Sequence, residues 1–352
     1  MQGNVKGSSC KGRNPARPQI RDEARQKSHN ENGYDLRRLF AFPQALPLSC
    51  GCAVYLTIPG HCGNHVTGYA GRLRQELSLR ALSWAAANGL PHECTIGNLP
   101  AVIFREAADA THGNFHPVSY KCIRRRPEWN RRLGKSHTSA RRSLPSHDGE
   151  RGELDTAASS DALLMNIFCH PLAFAAGSSL RLLLGTEAPE RLEFGCKPRI
   201  PLIANHVERT EIDLRIGDLL IEAKLTEAEF QRAPRLRVER YRDFACVFDA
   251  DLLPQTAASY LHYQLIRGVL SAFAGLGTRY CVICDVRRPD LIDAWFTVAR
   301  AVKPVSLRSR LQLVTWQEIA ETFPRTMRAW LADKYGIESQ GSQALIKADI
   351  DG

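Results

Sequence analysis

Hydrophobic and polar positions divide this chain of 352 residues into unlike stretches. Residues 1–70 show no sustained period and are rich in Gly, Pro, Ser, Asn and Cys, which predicts a disordered or loosely structured extension. From 72 to 88 apolar residues recur at helical spacing, and Gly89 follows as a residue suited to the left-handed end of a helix. Residues 99–104 predict a short strand, 112–117 a turn, and 143–156 a linker. Beyond the linker, 160–184 is apolar at helical spacing, with Pro171 placed to kink or split it. Strands are predicted over 191–203, 208–216 and 219–225, the last two joined at Gly217-Asp218. A helix over 255–275, a buried strand over 279–286, a helix over 290–302, a strand over 310–316 and a helix over 317–334 follow. Residues 338–352 form a polar tail. The resulting order is α-β-β-β-α-β with a further α-β-α, an α/β (α+β) class built on a mixed sheet.

Charge sharpens this division. The net charge is +10, and it is unevenly spread: residues 1–150 carry +11 and residues 151–352 carry −1. Positive charge confined to one part of a chain points to a polyanionic partner for that part, most simply nucleic acid. Its densest run, 121–142, holds Lys121, Arg124, Arg125, Arg126, Arg131, Arg132 and Lys135 against the single acid Glu128, with Tyr120 and Trp129 interleaved. Such a mixture suits phosphate contact with base or sugar packing; a solvated helix face is the plainer alternative. The stretch 71–150 is thus expected to be a basic region contacting nucleic acid, and 157–336 the domain that carries the chemistry.

The eleven cysteines add little. Residues 1–33 are polar without an apolar core, so no secretion signal is expected and a reducing cytoplasm is the default. Cys281 and Cys284 lie within an apolar strand and read as core. Cys50, Cys52, His61, Cys62 and His65 offer enough ligands for zinc, but in no recognisable finger spacing, and scattered thiols are the plainer reading. The apolar run 39–59 is broken by Pro43 and Pro47, so no membrane span is expected.

The chemistry concentrates in Glu211-Ile-Asp-Leu-Arg-Ile-Gly-Asp-Leu-Leu-Ile-Glu-Ala-Lys-Leu225. With a two-residue turn at Gly217-Asp218, Ile216 faces Leu219, Arg215 faces Leu220, Asp213 faces Glu222 and Glu211 faces Lys224. Strand alternation then sets Glu211, Asp213, Arg215, Glu222 and Lys224 on one face, and Ile212, Leu214, Ile216, Leu219, Ile221, Ala223 and Leu225 on the core face. Two carboxylates directly opposed repel, and a divalent cation would compensate them, with the Ala223 carbonyl as a further ligand. Lys224 beside it could orient or help deprotonate an attacking water, or neutralise charge on a phosphate. Cross-strand ion pairs, Glu211 with Lys224 and Arg215 with Glu222 or Asp213, are the alternative account.

The spacing Asp213-x8-Glu222-Ala223-Lys224 on paired strands resembles the PD-(D/E)XK superfamily of nucleases, with Ile212 where that pattern has proline. The αβββαβ order resembles that superfamily's restriction-endonuclease-like core. His112-Gly-Asn-Phe115, Ser159-Ser-Asp-Ala-Leu163 with Asn166, Thr210-Glu-Ile-Asp213, Ile221-Glu-Ala-Lys-Leu-Thr-Glu227 and Tyr263-Gln-Leu-Ile-Arg267 are similar to a bacterial family of restriction endonucleases over about residues 95–290. The resemblance implies Mg²⁺-dependent hydrolysis of DNA, with Mn²⁺ substituting, Asp213, Glu222 and the Ala223 carbonyl as metal ligands, and Lys224 at the attacking water. It also implies an acidic residue on the first core helix, where this chain offers Asp161 and Asn166 but no Glu; Glu193 on the first strand is a further candidate. A helix over 255–275 would set Tyr260, Gln264 and Arg267 on one face, with Gln264 holding a water or phosphate oxygen. The implied partner is double-stranded DNA, and a homodimer would allow one site per strand. The alternative is the same fold gripping nucleic acid without cutting it.

Overall fold

The computed structural model describes residues 68–95, 100–136, 152–189 and 191–338. The Cys50–His65 cluster, residues 137–151 of the basic run and linker, and nearly all of the polar tail lie outside these residues. All the described residues belong to one compact unit, Asn64–Gly352.

The helix α1 (Tyr69–Asn88) closes on Gly89 at φ 61°, as expected. The short strand β2 (Val102–Phe104) is present, and it pairs with an unforeseen partner, β1 (His92–Cys94). Helices α2 (Pro117–Arg125) and α3 (Pro127–Leu133) follow, each opened by its proline. The apolar stretch after the linker is split at Pro171 into α4 (Ser160–Phe168) and α5 (Ser179–Leu184), with a 3₁₀ turn between them. Strand β3 (Leu192–Cys196) precedes the hairpin pair β4 (Ile200–Pro201) and β5 (Val207–Glu208). Then come β6 (Ile212–Ile216), β7 (Leu219–Ala223), β8 (Ala233–Pro234), α6 (Arg235–Val238), α7 (Phe244–Val247), β9 (Ser259–Tyr260) and α8 (Tyr263–Ala274). The chain ends through β10 (Arg279–Cys284), α9 (Pro289–Arg300), α10 (Val305–Arg308), β11 (Leu311–Thr315), α11 (Trp316–Glu321) and α12 (Arg325–Tyr335).

Five strands form one mixed sheet in the order β11-β10-β7-β6-β3. β10 runs parallel to β7 and β11, and β6 runs antiparallel to β7 and β3. The predicted αβββαβ order is therefore present as α4, β3, β6, β7, α8 and β10. Both faces of this sheet are covered. One core joins α4 and α12 to Leu214, Ile221 and Ile283, and the other joins α8 and α9 to Leu220, Tyr280 and Val282. Every residue of β7 is buried, which fits a central strand with a near-continuous apolar run.

Several expectations change. The helix over 255–275 begins only at Tyr263, after His262 in a left-handed conformation. Tyr260 sits buried on β9, so it does not share a helix face with Gln264 and Arg267. The final helix is broken at Pro324 into α11 and α12. The end of the supposed linker is packed, since Leu154 is buried and Thr156 bridges Ile103. Tyr120 and Trp129, read beside the basic residues as packing surfaces for bases, are buried in the core. Helical period explains this: on α2 and α3 the aromatics occupy the inward stripe, while Lys121, Arg124, Arg125 and Arg131 face outward. Cys281 and Cys284 are core, as expected, and belong to opposite faces of the sheet. Burial pushes both thiols up, Cys284 to about 12.

Candidate active site

The β6–β7 hairpin turns at Gly217, whose φ of +57° is the backbone a two-residue turn demands. The register is the expected one for Ile216↔Leu219, Arg215↔Leu220 and Leu214↔Ile221. The ladder ends there. Instead of a backbone pairing between Asp213 and Glu222, the Asp213 carboxylate accepts the Ala223 N–H at 2.8 Å. Glu211, Asp213, Glu222, Ala223 and Lys224 line one cleft of about 300 Å³. Arg215 does not join them. It is exposed and donates back to the Gly217 carbonyl at 2.9 Å. Ile212 is buried, but in the α8-side core with Leu220 rather than with Leu214.

The ion pairs also differ from the cross-strand account. Lys224 Nζ meets Glu222 Oε1 at 2.7 Å, not Glu211. Glu211 reaches across to Arg132 of α3 at 2.8 Å. Gly195 of β3, at φ +67°, leaves room for that pair, since a Cβ there would collide with the Arg132 guanidinium and crowd the Glu211 carboxylate. Arg132 and Lys135 also hold Asp161 of α4, at 3.0 and 2.7 Å. Of the two acidic candidates, Asp161 of the first core helix therefore lies in the cleft. Glu193 instead sits opposite Arg215 on β3, away from it.

Both backbone and side chains brace the lysine. The Lys224 N–H donates to Ile283 at 2.8 Å and its carbonyl accepts from Trp316 Nε1 at 2.9 Å. Arg288 Nη1 donates to the next carbonyl, Leu225, at 3.0 Å. Burial alone would lower the Lys224 ammonium, but Glu222, Glu227 and Asp213 around it push it above its ordinary value. Asp213 moves the other way from a typical surface acid. Burial first, then the charges of Glu222 and Asp161, raise its carboxyl well above the usual range, outweighing Lys224 and the Ala223 N–H.

Gln264 lines the cleft from α8, as expected. Arg267, one turn on, is 2 % exposed, stands 3.7 Å from Glu222 Oε2 and donates to the Glu211 carbonyl at 3.0 Å. Glu153, Glu229 and Gln231 also line the cleft and were not singled out from the sequence, and Ser160 was seen there only as part of a motif. Glu227, seen there only as part of a motif, accepts from Ser160 Oγ at 2.5 Å and from the Leu225 N–H at 2.6 Å. Of the basic residues, Lys121, Arg124, Arg125, Arg126 and Arg131 are exposed on α2 and α3, whereas Arg132 and Lys135 are half-buried at the cleft.

Among the described residues, no group of three His, Cys, Asp or Glu side chains has the arrangement of a metal cage. Mg²⁺ does not need one, because it takes one or two carboxylates and completes its shell with water and substrate oxygen. Asp213, Glu222 and the Ala223 carbonyl are hard oxygen donors. The cleft lining sets seven acids, Glu153, Asp161, Glu211, Asp213, Glu222, Glu227 and Glu229, against Lys135 and Lys224. The donor set fits such an ion.

A family model described as restriction endonuclease associating with ARP matches residues 86–336. The chain belongs to that family. The match runs from the end of α1 to the last turn of α12, so the α/β fold with its mixed five-stranded sheet is restriction-endonuclease-like. Membership in a restriction endonuclease family suggests a nuclease and implies a nucleic acid substrate. No curated protein and no solved structure matches the chain. Among the described residues, no helix is long and apolar enough to cross a membrane.

Proposed function

We propose that this protein is a metal-dependent DNA endonuclease of the PD-(D/E)XK type, hydrolysing phosphodiester bonds at the β6–β7 cleft. One observation carries the reading: Asp161, Asp213, Glu222 and Lys224, drawn from three elements, open into a single cleft within a restriction-endonuclease-like fold. Asp213, Glu222 and the Ala223 carbonyl would hold Mg²⁺, or Mn²⁺ in its place. When bound, that ion supplies Lewis-acid stabilisation of the phosphate oxygens. Lys224, its ammonium steadied by Glu222, offsets charge on the phosphate and donates to the attacking water. Gln264 holds a water or a non-bridging oxygen from the α8 side. Arg267 fixes the orientation of Glu222. The exposed Lys121, Arg124, Arg125, Arg126 and Arg131 take the duplex backbone, with Arg132 and Lys135 nearest the scissile phosphate.

Plasmid cleavage with Mg²⁺ or Mn²⁺, with and without chelator, tests this. Nicking or linearisation that needs the metal and disappears in Lys224→Ala and Asp213→Ala is expected. The loss should be on the order of 10²–10³-fold for the lysine, the scale of removing one transition-state donor. Salt-sensitive DNA binding without any cleavage, across methylated and unmethylated substrates, would instead make this a binding protein on a nuclease fold.

A further inference from the structure

The net charge of residues 151–352 hides a second basic surface. Residues 232–242 carry Arg232, Arg235, Arg237, Arg240 and Arg242 against Glu239 alone. Residues 197–209 add Lys197, Arg199 and Arg209 against Glu208. In the fold these two segments are one body. The β4–β5 hairpin docks on the arginine segment through Leu202↔Tyr241, with the Ile203 N–H on the Arg240 carbonyl at 2.8 Å and the Arg242 N–H on the Pro201 carbonyl at 3.1 Å. Glu208 is the anchor. It accepts from the hydroxyls of Thr210, Tyr241 and Tyr263, and Arg237 approaches it at 3.8 Å.

This body borders the cleft. The Tyr263 and Gln264 N–H groups donate to the Gln231 and Phe230 carbonyls, and the Arg237 guanidinium lies 4.8 Å from the centre of the Tyr263 ring. Gln231, Glu229 and Gln264 line the cleft on this side, while Lys135, Glu153 and Asp161 line it on the other. Its charges divide into two groups. Arg232, Arg235, Arg237 and Arg242 have acidic neighbours at 3.6, 3.2, 3.8 and 2.9 Å. Among the described residues, Lys197, Arg199, Arg209 and Arg240 are exposed and enter no ion pair. Exposed, unpaired cations on a braced body beside the cleft have charge complementary to a phosphate backbone.

We propose that the β4–β5 hairpin and the arginine segment form a second DNA-contacting arm, on the α8 side of the cleft. It grips the duplex backbone on the far side of the scissile bond from α2 and α3, with Arg209 and Arg240 as phosphate contacts. The inference rests on the nuclease reading for its substrate, and it adds where the second half of the duplex lies.

The test is fluorescence anisotropy of a labelled duplex with the full chain in chelator, across a salt series. The double reversal Arg209→Glu/Arg240→Glu is compared with wild type and with Arg300→Glu, an exposed arginine on α9 outside both basic surfaces. Circular dichroism and a thermal melt establish that each variant is folded. The expected result is binding weakened by about 10-fold or more, with the salt slope reduced by about two for the two phosphates released. Arg300→Glu should change neither. A double reversal with wild-type affinity and slope overturns the arm. Plasmid cleavage keeps the two ideas apart: a wild type that cuts while the reversal binds normally sinks the arm alone, and a wild type that never cuts while the reversal loses binding sinks the nuclease reading alone.

Discussion

Two lysines are buried to nearly the same degree, Lys224 at 5 % exposure and Lys334 at 2 %, yet their surroundings drive them apart. Lys224 faces Glu222 at 2.7 Å, with Glu227 and Asp213 close by, and these charges overcome burial and hold its ammonium above the ordinary value. Lys334 of α12 faces the Asn114 side-chain oxygen at 2.7 Å and the rings of Phe104 and Tyr335 at 4.5 and 4.8 Å. With no carboxylate there, burial alone brings it down to about 7. Burial therefore does not set a lysine's charge; the company it keeps does. At the cleft the company is acidic, so the charge is held on the lysine. At α12 the same side chain is a polar plug whose charge is costly.

The largest way to break this comparison is to remove the cleft lysine. Among the described residues, Lys224→Ala leaves Glu222 buried with Arg267, at 3.7 Å, as its one remaining cation. Losing one partner of a buried pair costs about 3–5 kcal/mol, because the other charge stays behind unpaired. Urea unfolding should show a drop of that size together with the lost cleavage. A change under about 1 kcal/mol, the scale of an exposed pair, would mean that water reaches Glu222 freely.

Asp213→Asn sharpens the comparison from the acidic side. Burial and its acidic neighbours disfavour the Asp213 carboxylate, while an amide oxygen can still accept the Ala223 N–H. The variant should be more stable than wild type by about 0.5–2 kcal/mol, as substitutions that relieve a strained active site often are. It should also lose cleavage. Mg²⁺ should raise the melting temperature of wild type and leave the variant where it was. A less stable variant that still responds to Mg²⁺ would place the ion elsewhere.

The sequence made the cleft legible because one short hairpin carries most of it. Strand alternation and a Gly-Asp turn suffice to put Asp213, Glu222 and Lys224 together. The order of helices and strands along the chain followed for the same reason, since apolar runs with turn residues between them leave few alternatives. What local pattern could not supply was the set of partners brought by tertiary contact. Arg132 and Lys135 read as part of a solvent-facing basic run, yet α3 lies over the cleft and commits them to Asp161 and Glu211. Tyr120 and Trp129 read as accessible because their neighbours in sequence are charged, although helical period turns them inward. The hairpin at 200–208 was hidden by Pro198 and Pro201, and the arginines at 232–242 by the neutral average of a long segment.

Lys334 gives the effect with the least bearing on the reaction and the clearest signature in pH. Its folded value of about 7 lies below the ordinary 10.5. Between these two values the unfolded chain binds a proton that the folded chain does not. Stability therefore rises with pH across that window, by at most about 1.4 kcal/mol per unit. Below pH 7 both states bind the proton and the full cost of burying the charge is present; above 10.5 it is gone. Lys334→Met removes the group, so the variant's advantage over wild type should be greatest near pH 6 and shrink steadily toward pH 10. Loss of the bond to Asn114, worth about 1 kcal/mol, sets a constant offset against it at every pH. Denaturant unfolding of both proteins at pH 6, 8 and 9.5 reads the difference directly. A difference that stays flat over that range would mean that Lys334 keeps its proton when folded, and that α12 holds a counter-charge as the cleft does.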